Sequence, residues 1–484
     1  MPGTEAPGAP RHRDDTHALV ASSHKAGVVS DENTIAIVEQ VSQGTKYYAH
    51  QQRLHDKRSE RIAALRQRAE ATLQALTTEG RDQAAQSVEH YVRSLEAQRD
   101  LSRTILHCDM DMFYAAVELQ RQPHLAGKCF AVGHGVLVTA SYEARSRGVR
   151  AGMAEFVARA LCPELIVVAT HRDAYRASSE RVMRLLAPYT PQLEPRSLDE
   201  AYLDVTTYCE THGITGEQLA TQLRRQVREV TGLPMSVGVA PNRRLAKIAS
   251  DYAKPDGVYV VPPEREAILR FLEPLRVRQV PGIGAATELL LDALQVRTCG
   301  DVWARRVELS LCLDTFRPLL AAALGLGANQ VAPRTRSERR SVSRESTFAP
   351  TSDPALLHRY LRTACEQLAR DLKQLEYSAR TVSLIGKHDT FERFTRAQSC
   401  TRGASTFDDL YNAAHALLER ERASMPSLCL RLVGVRASSL VDQQAAQSGA
   451  LAQWLRTPKA SAVPVECPGA VRDWLRSMRI WKRA

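Results

Sequence analysis

Two short apolar stretches, "RTILHCDMD" (103–111) and "SLDEAYLDV" (197–205), each carry carboxylates on what reads as a β-strand. An isolated carboxylate in apolar surroundings loses many kcal/mol of hydration, so Asp109, Asp111, Asp199 and Glu200 must meet cations, hydrogen-bond donors or water. That requirement constrains the fold more than any other feature of the chain. Adjacent acids on a strand point to opposite faces, so Asp199 and Glu200 serve one site only at a turn or hairpin tip, or around a large ion cluster. Pro191 and Pro195 favour such a tight approach. Three hard oxygen ligands from separate segments suit magnesium or manganese, which keep waters and bind substrate phosphates. Taken singly, each carboxylate is more often a helix cap or a strand-edge salt bridge. Asp111 reads as the N-cap of the helix that follows in "FYAAVELQ".

With 484 residues, 44% of them hydrophobic, the chain is expected to form two to four domains. No apolar run reaches the roughly eighteen residues of a membrane span, so a soluble protein with no membrane partner is expected. A net charge of +11 and a pI near 9.2 favour polyanionic partners such as nucleic acid or anionic lipid. Ten dispersed cysteines include no CxxC and no zinc spacing, which predicts reduced, structural thiols. The opening "MPGTEAPGAPRHRDD" lacks the apolar segment of a signal peptide, and its acids weigh against a mitochondrial leader, giving an intracellular expectation.

Residues 1–33 read as a disordered tail. Over 34–100, apolar residues at helical spacing among many charges predict two long helices broken at "TTEG", either a coiled-coil arm or a segment that wraps a ligand. Strands are expected at "RTILHCD", "KCFAV", "VLVTAS", "LIVVA", "AYLDVT", "MSVGVA" and "GVYVVP", with helices near 174–187, 216–231 and 242–252. After "RVRQVPGIGAATELLLDALQV", the basic stretch "APRTRSERRSVSRES" reads as a linker to a fresh unit at 341–440. The tail 441–484 closes on a short amphipathic helix marked by Trp474, Met478 and Trp481.

Basic residues lie between and after the acids. "SYEARSRGV" places Tyr142 and Arg145 three apart, which one helical turn brings to the same side. "RRLAKIASDYAKPDGVYV" supplies Lys247 and Lys254. A triphosphate carries about four charges, and an Arg fork with a Lys point charge commonly clamps one. Read alone, Arg145 equally fits a solvated face, and Lys247 a side chain snorkelling over apolar surface.

In order, "DMDMFYAAVE", "SYEARSRGVRAGM", "SLDEAYLDVT", "GVAPNRRLAKIASDYAKPDG" and "VPGIG" resemble the Y-family, or translesion, DNA polymerases of the DinB and kappa branch, over about 100–440. The helices of "GTKYYAHQQRLHDKRSERIAAL" through "LEAQRDLSRTILH" resemble the clasp that kappa enzymes carry and bacterial DinB enzymes lack. The resemblance implies an α+β right-hand polymerase with a mixed-sheet palm, small fingers, a helical thumb with a helix-hairpin-helix and an α/β little finger. Its parts fall at 34–100 (clasp), 101–122 and 174–265 (palm), 123–173 (fingers), 266–340 (thumb and linker) and 341–440 (little finger).

Carried over by motif, the resemblance makes Asp109, Asp199 and Glu200 catalytic metal ligands. Together with the backbone carbonyl of Met110 they hold two Mg2+ ions, for which Mn2+ can substitute. Asp111 is no ligand in that pattern. Tyr142, Arg145 and Lys254 become triphosphate contacts, and Tyr114 the steric gate against a 2′-hydroxyl, although the residue alone reads as core. Gly282 and Gly284 become a turn that exposes backbone N–H groups to a DNA phosphate. The function implied is template-directed DNA synthesis of low fidelity with lesion bypass. Its partners are primer–template DNA, a dNTP and a sliding clamp, acting on a monomer in the nucleus or, alternatively, a mitochondrion. Ala154 stands where the family usually has proline, and Cys108 where a β-branched residue is common. The tail shows no zinc-finger cysteines and no clear clamp-binding box. Two rivals remain: the deoxycytidyl transferase branch, whose usual BRCT domain is not seen here, and a catalytically silent DNA-binding scaffold, which would have lost the acids.

Overall fold

The computed structural model describes residues 32–333 and 339–443, so most of the expected N-terminal tail and the helix around Trp474 lie outside it. It forms two compact units, divided between Ala332 and Pro333. The first unit holds strands β1 (Ile105–Met110), β2 (Phe130–His134), β3 (Val136–Ala140), β4 (Ile166–Val168), β5 (Leu193–Pro195), β6 (Glu200–Asp204), β7 (Met235–Ala240) and β8 (Val258–Val260). The second holds β9 (Ser341–Thr351), β10 (Tyr377–His388), β11 (Arg393–Ala404) and β12 (Leu430–Asp442). No helix among the described residues is long and apolar enough to cross a membrane.

Five strands form the sheet that carries the acids, in the order β5-β6-β1-β7-β8. β1 lies at its centre, antiparallel to both β6 and β7. Every residue of β1 is buried except Asp109, which is half-buried, as expected for a central strand covered on both faces. All seven expected strands are present, and β5 is an addition. It is an edge strand ending in Pro195, a position where a missing N–H leaves no gap in the ladder. The helix Arg243–Tyr252 packs on β7 and β1, its N-cap Asn242 accepting from Leu245 N at 3.0 Å. Gly238 permits the close approach: a Cβ there would stand 2.1 Å from Ala246 O and 2.3 Å from Ser250 N.

A smaller sheet, β3-β2-β4, falls inside the segment expected to form fingers. Its core is Ala131, Leu137, Ala140, Ala144, Val149, Ala158, Cys162 and Leu165. The N-terminal region differs from the two helices expected there. It comprises three, Glu32–Ser42, Lys46–Gln74 and Thr78–Glu96. The first break falls at Gly44, whose φ of 79° suits glycine, and Thr45 caps the next helix. The second falls at 75–77, just before most of "TTEG": Thr77 is the cap, accepting from Gly80 N at 3.1 Å, and the remaining three residues are the first helical turn.

These helices are built into the first unit. Val38 packs against Val157 of the smaller subdomain. Val88 and Val92 enter a core with Leu291, Val302, Leu309 and Leu320 of the helices that follow the main sheet. Lys46–Gln74 touches the helices Ala285–Ala293 and Arg306–Cys312 of that same region.

The second unit is an antiparallel sheet, β11-β10-β12-β9, with the helices Pro354–Leu375 and Phe407–Ser424 packed on one face. Leu357, Leu361, Leu368, Leu410, Ala414 and Leu418 meet Val382, Leu384, Val433 and Val435 in its core. The register leaves Thr381, Ser383 and Lys387 of β10 beside Ser399, Ala397 and Arg393 of β11 on the other face. That face also carries the buried Ile385 and is basic at its Lys387 and Arg393 end.

Candidate active site

Asp109 and Glu200 are register partners across β1 and β6. Asp199 lies in the bend just before β6, and its carbonyl accepts from Met110 N at 2.8 Å. Ser197 shapes that bend, receiving Glu200 N at 3.2 Å and donating its hydroxyl to Asp199 Oδ1. The adjacent acids thus occupy a turn, one of the arrangements that lets both face one site.

Cations already sit on two of the carboxylates. Lys254 Nζ is 3.0 Å from Asp109 Oδ1 and 3.2 Å from Asp251 Oδ1, while Lys247 Nζ bonds Glu200 Oε2. His107, two residues before Asp109 on the same strand face, lies 3.5 Å from Glu200 Oε2 and meets Ser250 Oγ at 2.8 Å through Nδ1. The ligand atoms of His107, Asp109 and Glu200 all lie within 4.8 Å of one another. Burial opposes the charged form of Glu200, yet His107 and Lys247 outweigh it and hold the carboxyl well below the usual range. Asp199 goes the other way: burial raises it, and the neighbouring charges of Asp109 and Glu200 add to the effect against the Ser197 hydrogen bond. A site that destabilises one of its own carboxylates gains most from further positive charge.

Tyr114, on the first turn after β1, is half-buried and stacks on Tyr175 with ring centroids 4.0 Å apart and planes at 12°. Tyr175 is fully buried and donates to Glu118 at 2.7 Å, which fixes the platform. Burial and then the Asp199 charge raise the Tyr114 hydroxyl, against the charges of Arg172 and Arg176. Tyr142 and Arg145 share a short helix, with the guanidinium 5.4 Å from the tyrosine ring. Arg145 also donates to Ala140 O at 3.0 Å and Thr139 Oγ1 at 3.2 Å, which aims it. Burial, and then the Asp111 charge, push the Tyr142 hydroxyl up to about 12, and Lys254 and Asp109 act on it as well.

Residues 108–251 match the model of the impB/mucB/samB family, and residues 339–450 that of the impB/mucB/samB family C-terminal domain. DNA polymerase kappa of Arabidopsis thaliana is 38% identical over 435 residues, which are 89% of this chain and 63% of the plant protein. DNA polymerase IV of Alkalilimnicola ehrlichii is 37% identical over 359 residues, covering 72% of this chain and 99% of the bacterial one. Among solved structures, a Y-family DNA polymerase chimera of Dbh and Dpo4 superposes with a TM-score of 0.62 at 28% identity, over 70% of this chain and 99% of its own. This chain belongs to the Y-family of DNA polymerases. It spans 63% of the length of the Arabidopsis kappa relative and 57% of the human one.

The Y-family is divalent-metal dependent, and the donor set here fits such ions: carboxylate oxygens converge, and lysine ammoniums stand where positive charge is wanted. One expectation needs correction. Asp111 does not cap the following helix; Met112, at φ 37°, is the N-cap and offers no side-chain bond. Asp111 is instead buried, accepting from Ser236 Oγ at 2.9 and 3.0 Å and from Asp256 N at 2.7 Å. It ties β1 to β7 and to the loop after Lys254. Sequence reasoning missed His107, Ser197 and Tyr175. Strand alternation was enough to place His107 beside Asp109, whereas nothing local in the sequence pairs Tyr175 with Tyr114. Gly282, at φ 103°, and Gly284, the N-cap of Ala285–Ala293, form an open turn where an added Cβ would meet nothing within 4 Å.

Proposed function

We propose that this chain is a template-directed DNA polymerase of low fidelity, which adds deoxynucleotides to a primer 3′ end and copies past lesions. The observation that carries the reading is the pairing of Asp109 with Glu200 under two lysines, with Asp199 destabilised beside them. Asp109, Asp199, Glu200 and the carbonyl of Met110 would hold two Mg2+ ions, or Mn2+ in their place. When bound, these ions favour attack of the 3′-hydroxyl on the α-phosphorus and stabilise the departing pyrophosphate.

The protein's own groups do the rest. Lys254 is free to leave Asp109 for a triphosphate once that carboxylate has another cation, and Arg145 and Tyr142 supply a fork and a hydroxyl to the same phosphates. Lys247 and His107 keep Glu200 ionised and oriented. Tyr114, backed by Tyr175, presents a rigid ring to the sugar. The basic end of the second unit's sheet and the Gly282–Gly284 turn suit contacts with the DNA backbone, which position without reading sequence. The smaller subdomain has a core of eight small and medium side chains, leaving little protein to test the nascent pair. Action as a monomer, recruitment by a sliding clamp and a nuclear location go with this reading.

Primer extension on an undamaged template with each dNTP supplied separately tests it. A polymerase adds the complementary nucleotide at every template base. A deoxycytidyl transferase adds only dC, and a scaffold adds nothing.

A further inference from the structure

In the second unit, three side chains that the polymerase reaction does not use converge between the two helices. His415 and Glu419 stand four residues apart on Phe407–Ser424 and so share one face. His358 meets them from Pro354–Leu375. The ligand atoms of all three lie within 4.8 Å of one another. His358 Nε2 is 3.0 Å from Glu419 Oε1, and the two imidazole centroids are 4.7 Å apart. All three residues are half-buried, at the edge of the core where the helix seam meets solvent. His358 Nδ1 is buried and has no hydrogen-bond partner.

We propose that His358, His415 and Glu419 form a binding site for a borderline divalent transition ion of the Zn2+ class, which staples the two helices together. Two imidazoles and one carboxylate are an ordinary zinc ligand set, with a fourth position left to water. Imidazole ligands select such ions over Mg2+, which prefers oxygen alone. Bonds of about 2.0 Å in a tetrahedron put ligand atoms about 3.3 Å apart, a small side-chain adjustment from the spacing present. Arg422 donates to Glu419 Oε1 at 2.8 Å and Oε2 at 2.9 Å from the same helix. An ion at the seam takes one of those oxygens and leaves Arg422 on the other, where it fixes the carboxylate's orientation. The pair His-x-x-x-Glu carries no recognisable zinc spacing because its third ligand comes from another helix.

The test uses the full-length protein, stripped of metal with a chelator and titrated with Co2+ as the probe. The expected result is the strong visible absorption of four-coordinate Co2+, displaced by Zn2+ and untouched by excess Mg2+. His358→Ala and His415→Ala should each abolish it and weaken Zn2+ binding at least about tenfold in competition with a chromophoric chelator. Both variants should keep primer extension with Mg2+, which reports an intact fold. Should either His variant fail to fold, Glu419→Gln, which keeps shape and loses the charge, must weaken Zn2+ binding in the same way. Absence of the visible bands overturns the proposal, as do bands unchanged in the variants. So does near-ultraviolet thiolate-to-metal absorption lost in Cys129→Ser, which would place the ion at Cys129, Cys162 and Glu164 instead.

Discussion

Removing Asp199 takes away a carboxylate that its surroundings destabilise, and removing Glu200 leaves Lys247 without its ion pair, while Lys254 keeps Asp109 and Asp251. Replacing Asp199 and Glu200 with Ala should lower nucleotide incorporation by about three orders of magnitude or more, the scale of residues that act as one catalytic unit. Duplex binding, measured by fluorescence anisotropy, should stay close to that of the parent. Tyr114→Ala removes a ring held flat on Tyr175 and touches no metal ligand. It should raise ribonucleotide incorporation at least about tenfold, equivalent to about 1.4 kcal/mol, with deoxynucleotide incorporation retained. Loss of both activities together with thermal stability would mean that the ring serves packing. That Asp109, Glu200 and Lys254 would gather was legible because each sits in a local motif whose chemistry is explicit. Asp111 was misread because capping was inferred from its place before a helix, while its real partners, Ser236 and Asp256, come from far along the chain.

Among the elements, the strands of the main sheet were the most legible, since a central strand reads as an unbroken apolar run. β5 was not, being three residues with a proline. The break in the N-terminal helices was misplaced because Thr-Thr-Glu-Gly looks like a turn, whereas a threonine cap followed by an acidic first turn also begins a helix. Gly238 has the sharpest consequence at this scale. Gly238→Ala would press a methyl into the backbone of Arg243–Tyr252, at Ala246 O and Ser250 N. The helix must move, at a cost of about 1 to 3 kcal/mol, seen as a lower thermal midpoint. Because that helix carries Lys247 over Glu200 and Ser250 onto His107, incorporation should fall as well, although no site residue is altered.

For the molecule as a whole, the boundary between the two units could be read from the basic stretch taken as a linker. How the N-terminal helices attach could not, because amphipathic spacing identifies a face and leaves its partner unspecified. Val88 and Val92 settle it for Thr78–Glu96, which belongs to the core of the first unit at 4% and 5% exposure. Two truncations should therefore differ. Removal of residues 1–76, which takes Val38 from its contact with Val157, should lower the thermal midpoint less than the longer truncation, while weakening primer–template affinity and flattening its dependence on salt. Removal of residues 1–100 should also cost stability, about 1.5 to 3 kcal/mol for each buried valine lost. The intervening helix, Lys46–Gln74, is 29 residues and so about 43 Å long. It reaches the core beyond the main sheet by its own contacts, and through Glu32–Ser42 its near end is joined to the smaller subdomain. A strut fixed at both ends makes the spacing of the parts it joins a mechanical property of one helix. A helix-breaking proline at its midpoint would loosen the grip on a bound duplex.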